Sequence, residues 1–110
     1  MKKTKVTKSS GNVFQDLGLP DPEERLAKAG LAIQISKIIK LSNLNQANAG
    51  ELLGINQPNV SALLDGNLAE FSTDRLIRFL NLLGRDVDII IKEKSVSRKY
   101  GHVHVISITN

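Results

Sequence analysis

The chain of 110 residues contains neither cysteine nor tryptophan. Without cysteine it forms no disulfide, offers no thiolate to a metal ion and has no cysteine nucleophile, so nothing favours an oxidising compartment. No apolar run approaches the roughly 18 residues of a membrane helix, and no signal-peptide core follows the basic start. These absences predict a cytoplasmic protein of one domain that does not span a membrane.

Positive charge is missing from the middle of the chain. The net charge of +4 favours a polyanionic partner. Residues 41–74 nevertheless contain no lysine or arginine, whereas they contain four carboxylates. The cations lie in the flanking segments, among them Lys2, Lys3, Lys5, Lys8, Lys37 and Lys40 before the gap and the run from Arg75 to Lys99 after it. A polyanion is therefore expected to bind the middle of a single subunit only weakly.

Residues 46–66 have the pattern of two short amphipathic helices joined by a tight turn. Gly54 can supply the positive φ that ends the first helix, and Asn56 is a favourable N-cap for the second. Ala49 and Gly50 are small at the point where two steeply crossing helices must touch. This is the pattern of a helix-turn-helix.

Helices are also predicted on both sides of this motif. Asp21 is expected to cap a helix that begins at Pro22 and ends at about Leu41, with Glu24 completing a capping box. Between residues 72 and 83, apolar side chains recur at i, i+3, i+4 and i+7, which predicts a helix that closes the core over the motif.

The apolar period changes to two after this last helix. Val87, Ile89 and Ile91 alternate with their neighbours, which predicts a strand over residues 86–92, and a second β-branched run covers 102–109. Two strands alone are marginal in water, so we expect a hairpin or a sheet that pairs across a homodimer. The alternative is that residues beyond about 94 are disordered until a partner binds.

The helix-turn-helix stretch and its flanking segments resemble the XRE family of helix-turn-helix proteins, which includes the lambdoid phage repressors. The resemblance runs from Leu44 to Gly66 and continues more weakly to Leu83. Three segments are similar to a narrower branch, whose members are usually HigA-like antitoxins of type II toxin–antitoxin pairs: GNVFQDLGLP, LLGINQPNVSALLDG and FSTDRLIRFLNLLGRDVDIII. The resemblance implies a mainly α, lambda-repressor-like bundle with a short C-terminal β-strand or hairpin.

The resemblance also assigns roles within the motif. The second helix would enter the major groove of DNA, Gln46 would clamp a phosphate and Gln57 would read adenine. The other residues expected to contact DNA are Pro58, Asn59, Ser61, Ala62, Asn67, Lys37 and Lys40. Gly66 and Asn67, just past the helix, can present backbone N–H groups to the second strand. Gly66 is alternatively a plain C-cap, and the two roles are compatible. Because Pro58 and Ala62 offer only apolar surface, specificity should depend on dimer spacing and DNA shape.

The chain divides into a basic arm with an apolar anchor (1–20), a helical domain (21–84) and a partly flexible C-terminal β element (85–110). The anchor's apolar residues are expected to dock on the domain or on a partner: Val13, Phe14, Leu17 and Leu19. The expected function is a dimeric, sequence-specific repressor and antitoxin that binds a small RelE-like ribonuclease toxin and represses its own operon. Two alternatives remain, a stand-alone XRE repressor and a protein-interaction module that has lost DNA binding.

No residue pattern indicates catalysis or a cofactor. The sequence shows no Ser/His/Asp set, no P-loop and no suitably spaced pair of carboxylates. His102 and His104 would share one face of a strand, but no third ligand is evident, which favours a solvated or interface face over a metal site. We therefore predict that the protein is no enzyme and binds no metal.

Overall fold

The computed structural model describes residues 12–108, and within this range the chain forms a helical bundle. The helices are α1 (Val13–Asp16), α2 (Pro22–Leu41), α3 (Gln46–Leu53), α4 (Gln57–Leu64) and α5 (Thr73–Leu82). α2 packs against α5 and α4, while α1 lies beside α2. The mainly helical fold is confirmed, and most of the predicted basic arm lies outside the described residues. No helix in the described range has the length and hydropathy needed to cross a membrane.

One apolar core joins α2 to the later helices. Ile35 of α2, Val60 of α4 and Leu76 of α5 are all fully buried within it. Phe71, in the loop before α5, is also buried and packs edge-to-face on Phe79, with ring centroids 5.9 Å apart. Such aromatic pairs contribute beyond the area they bury, so the loop between α4 and α5 is an integral part of the core.

α2 has the predicted bounds but not the predicted cap. Asp21 adopts a left-handed backbone with φ 49° and ψ 54°, and its side chain makes no capping hydrogen bond. A capping side chain needs an extended backbone, which Asp21 does not have in this left-handed conformation. Glu24 pairs instead with Lys28 one turn later, at 3.5 Å. The predicted capping box is therefore wrong.

α3, the turn and α4 form the helix-turn-helix expected from the sequence. Gly54 ends α3 with φ 76°, and the Asn56 side chain accepts a hydrogen bond from the Asn59 N–H at 2.9 Å. Gly50 is buried where the two helices cross, and a Cβ added there would lie 2.6 Å from the carbonyl oxygen of Ile55. The turn can therefore approach α3 this closely only because residue 50 has no side chain.

The predicted C-terminal strand or hairpin is not seen. Between α5 and residue 108 the backbone forms no strand. Val87 packs partly against the core, whereas Ile89 and Ile91 are 77% and 92% exposed. An alternating pattern becomes a strand only where another strand pairs with it, and residues 12–108 supply none.

Residues 102–106, which we term the C-terminal strap, lie against α2 instead. The Val103 N–H donates a hydrogen bond to Oε1 of Glu23 at 2.8 Å. The Val105 side chain fills a notch at Gly30, where an added Cβ would lie 2.6 Å from the Val105 Cβ. The strap is therefore held at two points, seven residues apart on α2.

The first turn of the described chain is joined to α2 by Asn12, whose side chain is completely buried. Its Oδ1 accepts hydrogen bonds from the N–H groups of Phe14 and Gln15 at 2.9 and 3.3 Å, which caps α1. Its Nδ2 donates to the Pro22 carbonyl at 2.9 Å and to Oε2 of Glu23 at 3.1 Å. Asn12 therefore fastens α1 to the start of α2.

The Glu23 carboxylate accepts hydrogen bonds from both Asn12 and the strap residue Val103. Burial would by itself raise its pKa, but this effect is outweighed by the hydrogen bonds from Val103 and Asn12 and by the positive charge of His102 and His104. The pKa of Glu23 therefore lies below its ordinary value of 4.5. The ionised carboxylate is the form that the folded chain stabilises.

The contact between Glu23 and the strap should weaken in acid. A carboxylate whose pKa is lowered by folding contributes stability that is complete above its ordinary pKa of 4.5 and is lost as the pH falls through the lower, folded value. Hydrogen exchange of the Val103 amide, corrected for its intrinsic pH dependence, should lose protection in that window. Glu23→Gln should abolish this loss, and the neighbouring Glu24→Gln should retain it. A Glu23→Gln profile identical to wild type would contradict the assignment.

Gly50→Ala should lower the free energy of unfolding by about 1 to 2 kcal/mol. A Cβ 2.6 Å from a backbone oxygen puts the overpacking cost in the upper part of its range, at about 2 to 3 kcal/mol, and the better helix propensity of alanine returns about 1 kcal/mol. The matched control is Gly101→Ala, because a Cβ at Gly101 meets no atom within 4 Å. Urea denaturation measures both variants, and equal midpoints for Gly50→Ala and wild type would show that the helices do not cross closely.

Candidate nucleic-acid interface

α4 presents one polar edge to solvent. Gln57 and Pro58 are exposed in its first turn, and Asn59 and Ser61 are half-buried, while Val60 is fully buried on the inner side. The first turn is capped by Asn56, so its backbone is held in helical geometry before any ligand binds. The edge that would face a DNA groove is therefore not covered by the rest of the described chain.

Ala62 lies between this edge and the core. It is half-buried and packs against the buried cluster, so only part of its methyl group reaches solvent. Its contribution to any ligand is limited to a small apolar contact. Direct recognition by α4 accordingly depends on the polar side chains of its first turn.

Gln46 is exposed as the first residue of α3. The Asn45 side chain caps this helix by accepting a hydrogen bond from the Asn48 N–H at 2.7 Å. The N-terminal end of a helix carries partial positive charge, which favours an anion beside it. Gln46 is therefore placed where its amide and the helix end can act on the same phosphate.

A groove of about 950 Å³ separates α2 from the loop that follows α4. Lys37 and Lys40 line it from α2, and Asn67 lines it from the loop. Both lysines are exposed, and neither pairs with a carboxylate within the described part of the chain. The fold thus brings three of the expected contact residues to one groove and supplies, from α2, the cations that the motif lacks.

The two ends of this groove differ in charge. Arg25 and Lys28 line the end nearer the start of α2, but Asp21 and Glu24 lie beside them. No carboxylate lines the end that holds Lys37 and Lys40. Lys37 and Lys40 are therefore the groove-lining cations that have no groove-lining carboxylate within one turn of them on α2.

The backbone N–H groups of the two residues after α4 form hydrogen bonds within the chain. The N–H of Gly66 donates to the Leu63 carbonyl and that of Asn67 donates to the Ala62 carbonyl, at 3.3 and 2.9 Å. These bonds close the helix, with Gly66 in the left-handed region at φ 81°. Gly66 thus has the C-cap role expected for it, and both N–H groups already have a carbonyl partner within the chain. A contact of either group with a second DNA strand stays a prediction.

Two carboxylates oppose an anion at the motif. Glu51 of α3 and Asp65 at the end of α4 are both exposed. Each can cost about 1 kcal/mol against a nearby phosphate, depending on distance and salt. Binding by one subunit alone should consequently be weak.

The anchor residues separate into two groups. Val13, Leu17 and Leu19 are exposed on and after α1, whereas Phe14 is half-buried and lines the groove beside α2. Phe14 therefore docks on the domain, and the other three side chains form an apolar surface that the described chain leaves uncovered.

The two histidines lie close together in the strap. The ring centroids of His102 and His104 are 5.8 Å apart in an edge-to-face arrangement. Within residues 12–108, no group of three His, Cys, Asp or Glu side chains is placed to hold a metal ion.

Sequence reasoning missed the contacts of the strap. Glu23 and Val103 lie 80 residues apart in the chain, so no local pattern connects them. Gly30 was a usable signal, because glycine inside a helix costs about 1 kcal/mol relative to alanine and often marks a close approach. Asn12 was another, because it precedes a short apolar helix in a capping position.

Comparison with known proteins adds a family-level match. A family model described as a helix-turn-helix domain matches residues 13–92. A solved structure described as an XRE-family transcriptional regulator is 44% identical, with a TM-score of 0.75, and the match covers 81% of this chain and 100% of that one. The search of curated proteins found no match.

Proposed function

Because this chain belongs to the XRE family of helix-turn-helix proteins, we propose that it is a dimeric, sequence-specific repressor that binds double-stranded DNA. We further propose that it is an antitoxin that neutralises a small RelE-like toxin and represses its own operon. The family and the fold are those of transcription regulators and not of an enzyme class. The observation that carries the DNA-binding proposal is the uncovered edge of α4 beside the lysine groove.

In the proposed complex, α4 lies in the major groove. Gln57 donates to N7 and accepts from N6 of an adenine, a pairing that suits the glutamine amide. Gln46 binds a phosphate on one side of the groove, and Lys37 and Lys40 bind phosphates on the other. Since these contacts provide few base-specific bonds, much of the specificity comes from the spacing of two half-sites and from DNA shape.

The dimer proposal rests on charge and on exposed isoleucines. Because Glu51 and Asp65 weaken the binding of one subunit, two linked subunits that contact one duplex together would bind it more tightly than either alone. Strands over residues 86–92, paired across the two-fold axis, would give Ile89 and Ile91 the neighbours that a single chain lacks. Val87, which packs on the core, would mark the point where each strand leaves its own domain.

The antitoxin proposal rests on the uncovered apolar surface around α1. Val13, Leu17 and Leu19 are exposed on a turn that is otherwise well anchored through Asn12. A toxin that covers these side chains would bury them without disturbing α4, so toxin and DNA can be bound together. The alternative toxin site is the C-terminal strand, which would be joined by β-augmentation.

DNA binding is tested by a mobility-shift assay on the upstream DNA at several salt concentrations. A repressor loses affinity steeply with salt, whereas an interaction module without DNA binding gives no shift at any salt. Gln57→Ala should weaken operator binding by about 1 to 3 kcal/mol, or about 5- to 150-fold, and should leave non-specific binding unchanged. Gln15→Ala, an exposed glutamine on α1, is the control and should bind like wild type. Equal operator affinities for both variants would contradict the role of Gln57.

The dimer is tested with two neighbouring isoleucines of equal exposure. Ile89 and Ile90 are 77% and 76% exposed in the single chain, but they would lie on opposite faces of the proposed strand. If Ile89 faces the dimer interface, Ile89→Asp should shift the sedimentation profile to monomer and abolish cooperative operator binding. Ile90→Asp should leave the dimer intact. Dimers of equal stability in both variants would exclude this pairing.

The antitoxin role is tested with the product of the neighbouring reading frame, which should be a small basic toxin. Co-expression with this chain should restore growth, and Leu17→Asp should abolish the rescue because it places a charge in the proposed contact. Gln15→Asp is the control, because it introduces the same charge at an exposed polar residue of α1, two positions before Leu17. If deletion of residues 1–20 left toxin binding intact, the N-terminal contact would be wrong. A chain with no such neighbour would instead be a stand-alone repressor.

A further inference from the structure

We propose that Glu23 couples the two ends of the described chain, so that docking of the C-terminal strap holds the α1 turn in place and release of either one loosens the other. The coupling follows from contacts within this chain. Only its use, in transmitting the binding of a partner, rests on the proposed function. No contact with DNA enters the argument.

The coupling begins with the two oxygens of one carboxylate. Oε2 of Glu23 accepts from the Asn12 side chain at 3.1 Å, and Oε1 accepts from the Val103 N–H at 2.8 Å. Asn12 in turn caps α1 through Phe14 and Gln15. Asn12, before α1, and Val103, in the strap, therefore each donate a hydrogen bond directly to the Glu23 side chain.

The two hydrogen bonds hold one carboxylate in a single orientation. Glu23 is only partly buried, and hydrogen bonds to a charged group are stronger than those between neutral groups, so the two donors fix its oxygens together. When the strap leaves, Oε1 of Glu23 loses its donor and the carboxylate is held by Asn12 alone. Water then competes with Asn12 for Glu23, and the cap of α1 becomes weaker.

The strap is attached lightly enough to be released. Its apolar anchor is the partly buried Val105 in the notch at Gly30, whereas the next residue, Ile106, is 75% exposed. The segment that leads to the strap carries exposed side chains such as Ile91 and Val96, so it does not hold the strap down. The free energy gained from one apolar contact and one hydrogen bond must offset the conformational entropy lost when several residues are ordered. The net free energy of docking is therefore small, and the strap can dock and leave reversibly.

Coupling of this kind is reciprocal by thermodynamic necessity. If the docked strap stabilises the α1 turn by some factor, the closed turn stabilises the strap by the same factor. In the proposed function, α1 carries the surface that meets the toxin. Toxin bound to α1 would therefore change the population of the docked strap, and a partner that captures the strap would change the affinity for toxin.

The test uses the full chain with a substitution that undocks the strap. Val105→Asp removes the anchor from the notch, and Ile106→Asp is the control because that side chain is already exposed. In Val105→Asp, hydrogen exchange at the Phe14 and Gln15 amides, which Asn12 caps, should accelerate by about 5-fold or more. The pKa of Glu23, measured by NMR, should rise toward 4.5 in the same variant. Both quantities should remain at wild-type values in Ile106→Asp.

The reciprocal measurement is Asn12→Ala, which should accelerate exchange at the Val103 amide. If Val105→Asp frees the Val103 amide but leaves Phe14 and Gln15 at wild-type rates, the ends are not coupled and the proposal is overturned. It is also overturned if Val105→Asp leaves Val103 protected. Should Val105→Asp unfold the domain, Gly30→Ala closes the notch from the side of α2 and must give the same exchange pattern. Since no readout uses DNA or toxin, failure here is distinct from failure of the proposed function.

Discussion

The position of α4 depends on the close crossing of α3 by the turn that follows it. At Gly50 the Ile55 carbonyl approaches so near that a Cβ would lie 2.6 Å away. This contact sets the angle at which α4 leaves the turn, and therefore which side chains of α4 are buried and which are exposed. Val60 is fixed in the core, while Gln57, the first residue of the same helix, is exposed. The geometry of the candidate interface thus begins with a missing side chain inside the motif.

The polar side chains and the cations of the candidate interface lie on different helices. The motif offers shape and polar side chains but no cation, and α2 contributes Lys37 and Lys40 across the groove. A long helix that also carries much of the core is a rigid support, so the lysine backbones keep their distance from α4. Recognition and attraction are therefore supplied by different elements, held together by the same apolar contacts.

Local chemistry made the helical part predictable from sequence. Gly54, Asn56 and Ser72 end or cap helices through bonds to residues within a turn, and the structure forms these bonds. Asp21 failed as a cap because its backbone is left-handed, whereas a capping side chain needs an extended backbone. The predicted strand over residues 86–92 is not seen, because alternating apolar side chains indicate a two-faced segment but do not supply the second strand that it must pair with. Gly30 could have indicated a close approach to α2, but the sequence could not identify the approaching segment, since Glu23 meets a residue 80 positions away.

The exposed isoleucines after α5 have a further consequence for the lifetime of the protein. Ile89, Ile90 and Ile91 form an accessible apolar run in extended chain, which is the kind of site at which proteases and chaperones engage a polypeptide. A second copy that covers this run would shield it by mass action. Turnover in the cell would then depend on concentration, with newly made single chains degraded faster than assembled ones.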